Sequence, residues 1–171
     1  MTDWLWFAII SGVVALLYGV YASRSVLSKS PGNERMQEIA RAIQEGASAY
    51  LNRQYRTIAI VGVVIAVILL FLLGWKESLG FLIGAVLSGA TGYIGMYVSV
   101  RANVRTAEAA RIGLAEGLAV SFRSGAVTGM LVVGLALISV AGYYAFLLAI
   151  GAHGREIIDP RVALGFGGSL I

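Results

Sequence analysis

Apolar positions in this chain fall in long unbroken runs, separated by segments in which they recur as stripes. About twenty apolar residues of helix cross a bilayer core roughly 30 Å thick. Residues 4–22, 57–73, 79–100 and 119–150 are runs of this kind, and each predicts a membrane-spanning helix. The fourth has Arg123 near its start and is long enough to tilt or to extend beyond the bilayer. A fifth run, residues 162–171, is too short to span and closes on Ser169, Leu170 and Ile171 without a polar anchor. It is expected to be the start of a helix cut through its middle, which would make the sequence a fragment.

The second run does not begin where its helix begins. Across residues 36–55 the apolar positions are Met36, Ile39, Ala40, Ile43, Ala47, Tyr50, Leu51 and Tyr55, a stripe at helical spacing. Gln37, Glu38, Arg41, Gln44, Glu45, Ser48 and Asn52 take the other side. Arg41 can pair with Glu45, and Glu38 with Arg41, each contributing a few tenths of a kcal/mol. Ser30 or Asn33 suits the N-cap, with Pro31 at the first helical position. A helix from about Asn33 to Leu73 would be roughly 60 Å long, twice the hydrocarbon thickness. Its first half must therefore stand in the cytoplasm. The polar face mixes both charge signs instead of being lysine-rich, which favours packing on neighbouring helices over lying on lipid.

Residues 97–127 are dominated by Ala, Glu and Arg, so the third and fourth spans are expected to continue as cytoplasmic helices joined by a short turn. The functional reading is a helical collar around a polar site; a plain solvated hairpin fits equally. Gly80, Gly84, Ser88 and Gly92 recur every four residues and predict a ridge for close helix contact, a pattern that Gly125 and Gly129 repeat in the fourth span. Tyr93, Tyr97, Tyr143 and Tyr144 suit interfacial belts or bundle packing better than cofactor stacking.

Composition agrees with a membrane protein: 58% of the 171 residues are hydrophobic and 13% charged, against about 25% charged in an ordinary soluble domain. No cysteine is present, which excludes disulfides and thiolate metal sites, and one histidine is too few for a histidine-based site. The +4 charge comes without a basic run or a basic-aromatic stripe, so nucleic acid is not an expected partner. Placement explains the excess. Ten of the 13 basic residues lie between the first and second or the third and fourth spans, and the other two connections hold three, Lys76, Arg155 and Arg161. That asymmetry puts the basic segments in the cytoplasm and the N-terminus outside. A signal peptide ending near Gly19 to Ser23 is the competing reading of the first run, but it lacks a basic n-region and its apolar stretch is long.

A search for chemistry returns little. No span interior holds an acidic residue, and the deepest charges, Arg56 and Arg123, lie near the cytoplasmic edge. Glu34, Glu38, Glu45, Glu108 and Glu116 are spaced for helix faces and salt bridges, not for a metal site. His153 reads as a solvated loop residue and Asp159, before Pro160, as turn chemistry. The glycines of residues 165–168 lack the strand and the Lys-Ser/Thr of a phosphate loop and suit helix packing.

Three stretches go further by resemblance. "MQEIARAIQEGASAYLNRQYRTIAIVG" (Met36 to Gly62), "SGATGYIGMYVSVRANVRTAEAAR" (Ser88 to Arg111) and "SFRSGAVTGMLVVGLAL" (Ser121 to Leu137) resemble the N-terminal region of the membrane-integral inorganic pyrophosphatases, which pump ions. "ALGFGGSLI" is similar to the start of that family's fifth helix; the first thirty residues carry no distinguishing motif. The resemblance implies an all-α polytopic homodimer that hydrolyses magnesium pyrophosphate in the cytoplasm and moves H⁺ or Na⁺ across a bacterial-type cell membrane. It implies Mg²⁺ bound by residues outside this sequence, with K⁺ dependence open, and no catalytic, cofactor-binding or metal-ligating residue within it. Residues 1–171 would then be one membrane domain of outer scaffold, inactive alone, its protruding second helix bracing the hydrolytic centre. Two other classes are a piece of an unrelated secondary transporter and a small structural four-helix membrane protein.

Overall fold

The computed structural model describes residues 2–170, and these form five α-helices with no strand. They are α1 (Thr2–Leu27), α2 (Glu34–Leu72), α3 (Trp75–Ile112), α4 (Leu114–Ala149) and α5 (Arg155–Gly168). Helices α1 to α4 are each long and apolar enough to cross a membrane. Ile171, the last residue of the expected fifth run, lies outside the described residues.

Helix α3 is the hub. It packs on all four others, α4 also meets α1 and α5, and the backbone of α2 approaches α3 alone. Large side chains face outward along most of α1 and the second half of α2, including Trp4, Phe7, Leu17, Val63 and Phe71, as lipid-facing or helix-facing surfaces require. The interior is made of small clusters. Ala22, Val98, Val127 and Leu131 pack where α1, α3 and α4 meet, Val26, Ala102 and Val120 one level further along. Phe81, fully buried, joins Ala66 and Ala163 between α2, α3 and α5.

At 39 residues, α2 is about 58 Å long at 1.5 Å per residue. Asn33 is its N-cap, the Met36 N–H donating to Asn33 Oδ1 at 3.0 Å. Ser30 is not the cap; its Oγ accepts from the Gly32 N–H at 3.2 Å. Pro31 lies before the helix, not at its first position, because the chain must first turn through Gly32 at φ 78. Glu38 pairs with Arg35 at 2.6 Å instead of Arg41. No ion pair joins Arg41 to Glu45 among the described residues; with the arginine N-terminal, it runs in the weaker direction.

Helix α1 runs five residues past its expected end, because Ala22 and Val26 are buried. Helix α5 begins at Arg155, seven residues before the apolar run that marked it. Asp159 and Pro160, expected in a turn, are helical and Pro160 is buried. Proline removes one backbone donor, and here the bare carbonyl would be that of Glu156, in the exposed first turn where the loss is least costly. His153 stays exposed in the preceding loop, Nδ1 2.7 Å from the Gly151 carbonyl.

Candidate functional site

Both ends of the bundle and the crossing between them carry organised polar or glycine contacts. At one end stand the first half of α2 and the α3–α4 hairpin, whose helices are separated by Gly113 alone. Ala40 and Leu51 of the α2 stripe are buried, and Met36, Ile39 and Ile43 line a groove against Val100, Val104 and Ala107 of α3. The stripe thus rests on a helix neighbour, although Ile39, Ile43 and Tyr50 remain about half exposed or more.

Arg105 ties this end together. Its Nε donates to the Leu27 carbonyl at 3.2 Å and the Lys29 carbonyl at 3.1 Å, and its Nη1 to the Arg101 carbonyl at 2.7 Å. Leu27 and Lys29 are the last carbonyls of α1 and its exit, so the one Nε–H, shared between them, supplies a donor that the helix end lacks. Gln37 completes the connection, Nε2 donating to the Gly32 carbonyl at 2.8 Å. Arg105 was counted only as charge in the sequence; a side chain recruited by a distant helix end leaves no local pattern.

The other arginines are shared out singly. Arg101 lies over the Tyr97 ring at 3.5 Å, Arg111 pairs with Glu108 at 2.9 Å, and Arg123 donates to Ser25 Oγ at 3.2 Å. Arg53 and Arg56 are exposed, and no ion pair among the described residues holds either. No three acidic or histidine side chains among the described residues come together as a metal site. Glu38 and Glu108 are each paired with an arginine three residues away on their own helix.

At the opposite end Lys76 Nζ meets Glu156 Oε2 at 3.0 Å, linking the start of α3 to α5. The Tyr143 hydroxyl donates to the Lys76 carbonyl, and Ser78 Oγ donates to the Ala66 carbonyl at 2.8 Å. Gly74, at φ 127, makes the tight α2–α3 turn that a side chain would strain.

Between the ends α5 crosses α3 backbone to backbone. A Cβ on Gly80 would overlap the Pro160 carbonyl oxygen, one on Gly84 that of Leu164, and one on Gly167 that of Phe81. The expected ridge is therefore a helix seat over Gly80 and Gly84. Gly125 and Gly129 are not: both are exposed and a Cβ on either would meet nothing within 4 Å. In α4 the close approach is made by Gly134, whose added Cβ would lie 2.9 Å from the Gly12 carbonyl oxygen. Tyr93 packs edge-on against Tyr55 at 5.7 Å and Tyr143 stacks on Phe146 at 6.0 Å, so both serve packing.

A glycine-sutured bundle of four helices long and apolar enough to cross a membrane, with a fifth packed among them, defines a polytopic helical membrane protein. Residues 13–171 match the family model for inorganic H⁺ pyrophosphatase, and the chain belongs to that family. It is 49% identical over 164 residues to the "K(+)-insensitive pyrophosphate-energized proton pump" of Methanosarcina mazei, covering 95% of this chain and 23% of that one. A "K(+)-insensitive pyrophosphate-energized proton pump 2" of Moorella thermoacetica is 46% identical over 162 residues, 94% of this chain and 24% of that one. A "Putative K(+)-stimulated pyrophosphate-energized sodium pump" of Clostridium tetani is 42% identical over 130 residues, 76% and 19% of the two chains. The chain thus spans about a quarter of the length of the curated relatives it matches.

Proposed function

We propose that this chain is the N-terminal membrane part of a pyrophosphate-energised ion pump, which hydrolyses magnesium pyrophosphate on the cytoplasmic side and uses it to move ions across the membrane. The observation that carries this reading is the 49% identity extending over 95% of the chain. Of the two ions, H⁺ without a need for K⁺ is the better supported, since the relatives at 49% and 46% identity are named K⁺-insensitive proton pumps.

Residues 1–171 act in it as one membrane unit of scaffold that holds no catalytic, gate or metal-binding group. Support comes from arginines engaged one at a time and from carboxylates that do not gather. The Mg²⁺ ions belong to residues elsewhere in the full chain, which works as a homodimer. The Arg105 end faces the cytoplasm of a bacterial-type cell membrane and the N-terminus lies outside, in keeping with the ten basic residues of the two cytoplasmic segments. The test is phosphate release from pyrophosphate by membranes carrying the full-length product. Release that requires Mg²⁺ and is unchanged by K⁺ is expected; membranes that hold the protein and release nothing would overturn the reading.

A further inference from the structure

At the end of the bundle opposite Arg105, three helices bring interfacial residues together. Trp4 stands near the start of α1, Tyr144 lies about 8 Å before the end of α4, and Arg161 lies in the second turn of α5. Trp4, Leu5 and Ala8 on one side and Val140 and Tyr144 on the other line a groove of about 500 Å³, with Arg161 at its rim. That volume falls in the range of about 300–1,000 Å³ typical of ligand sites. Arg161 is the one charged side chain in the lining among the described residues. Its guanidinium stands 5.0 Å from the centre of the Tyr144 ring, and no ion pair among the described residues holds it. Tryptophan and tyrosine near helix ends mark the level of the lipid headgroups. A cation at that level, on a groove apolar everywhere else, calls for an anion.

We propose that the groove holds one anionic phospholipid, an acyl chain lying along Leu5, Ala8 and Val140 and the phosphate resting on the Arg161 guanidinium beside Tyr144. Charge complementarity carries the inference. A guanidinium offers a phosphate two parallel donors, and an aromatic face behind it holds the cation in place without neutralising it. A helix is the poorer occupant. Trp4, Leu5 and Val140 present bulky side chains where a helix backbone would need small ones, and the helix would have to bring an acid to Arg161. The groove of about 510 Å³ between α2 and α3 has no charged side chain in its lining and lacks this signal. The inference requires only that the chain lie in a membrane.

The test uses the full-length protein in phosphatidylcholine vesicles doped with a trace of phosphatidylglycerol or of phosphatidylcholine, either one carrying a diazirine on one acyl chain. Photolabelled peptides are quantified by mass spectrometry. The peptides that carry Ala8 and Val140 should be labelled about fivefold more strongly by phosphatidylglycerol, the scale of one arginine acting on an anionic lipid. Arg161→Gln should bring that labelling down to the phosphatidylcholine level, whereas Arg161→Lys should keep most of the preference. Should Arg161→Gln fail to accumulate, Val140→Trp, at an exposed position, fills the groove and should abolish the preference at Ala8 with the arginine intact. Equal labelling by the two lipids, or a preference that survives Arg161→Gln, would overturn the proposal. Labelling by neither would put a protein segment or a second copy in the groove and overturn it as well. Hydrolysis is not part of the readout, so a protein that labels as expected but leaves pyrophosphate intact would refute the pump and leave the lipid site standing.

Discussion

A methyl group at Gly84 would overlap a carbonyl oxygen of α5, whereas one at Gly125 would meet open space. Gly84→Ala in the full-length protein should therefore lower stability by roughly 1–3 kcal/mol, through forced separation of α3 and α5. Gly125→Ala should be neutral or stabilise by up to about 1 kcal/mol, since alanine is the better helix former. Thermal unfolding in detergent compares the two. The four-residue spacing of small residues was legible at both places, but its direction was not. Around Gly125 polar Ser121, Arg123, Ser124 and Thr128 are interspersed with apolar Phe122 and Val127, so periodicity could not say which side of α4 meets a neighbour. The same gap hid Arg105, whose partners lie 76 and 78 residues away. Arg105→Lys keeps the charge but loses the Nε–H shared by the Leu27 and Lys29 carbonyls, so amide exchange over residues 28–33 should rise about tenfold, at the scale of one lost charge-assisted hydrogen bond.

Helix α2 shows how far an element can be read from sequence. Its bounds follow from the Asn33 cap and from the end of the apolar run at the Gly74 turn, and structure and pattern agree to within one residue at each end. Helix α5 was half missed, because Asp159 before Pro160 is a common way to open a turn and because its first seven residues, Arg155 to Arg161, include four charges. What holds that segment helical is tertiary: Pro160 against Gly80, and Glu156 against Lys76. The two do not weigh alike. The Lys76–Glu156 pair has a largely exposed carboxylate, so Glu156→Gln should change stability by less than about 1 kcal/mol, with the difference vanishing in high salt. Unfolding midpoints at low and high ionic strength measure it. A larger, salt-insensitive loss would mean that this pair, not the glycine seat, anchors α5.

Seen whole, the molecule separates its roles along one axis. The Arg105 end gathers the long α2 projection, the α3–α4 hairpin and most of the arginines; the other end is tied by Tyr143, Ser78 and one ion pair. Membrane class, helix number and the apolar stripe of α2 were readable because hydropathy and period report directly on burial in lipid or against a helix. The Arg105 contacts were not, since they join residues far apart in sequence. The central claim is tested most directly by adding pyrophosphate to inverted membrane vesicles that contain the full-length product, while following the lumenal pH with a quenched dye. Acidification that starts with pyrophosphate, requires Mg²⁺, persists without K⁺ or Na⁺ and collapses with a protonophore is the predicted result. Vesicles that contain the inserted protein in the same orientation yet stay at constant pH, with Na⁺ present or absent and no Na⁺ uptake, would contradict it.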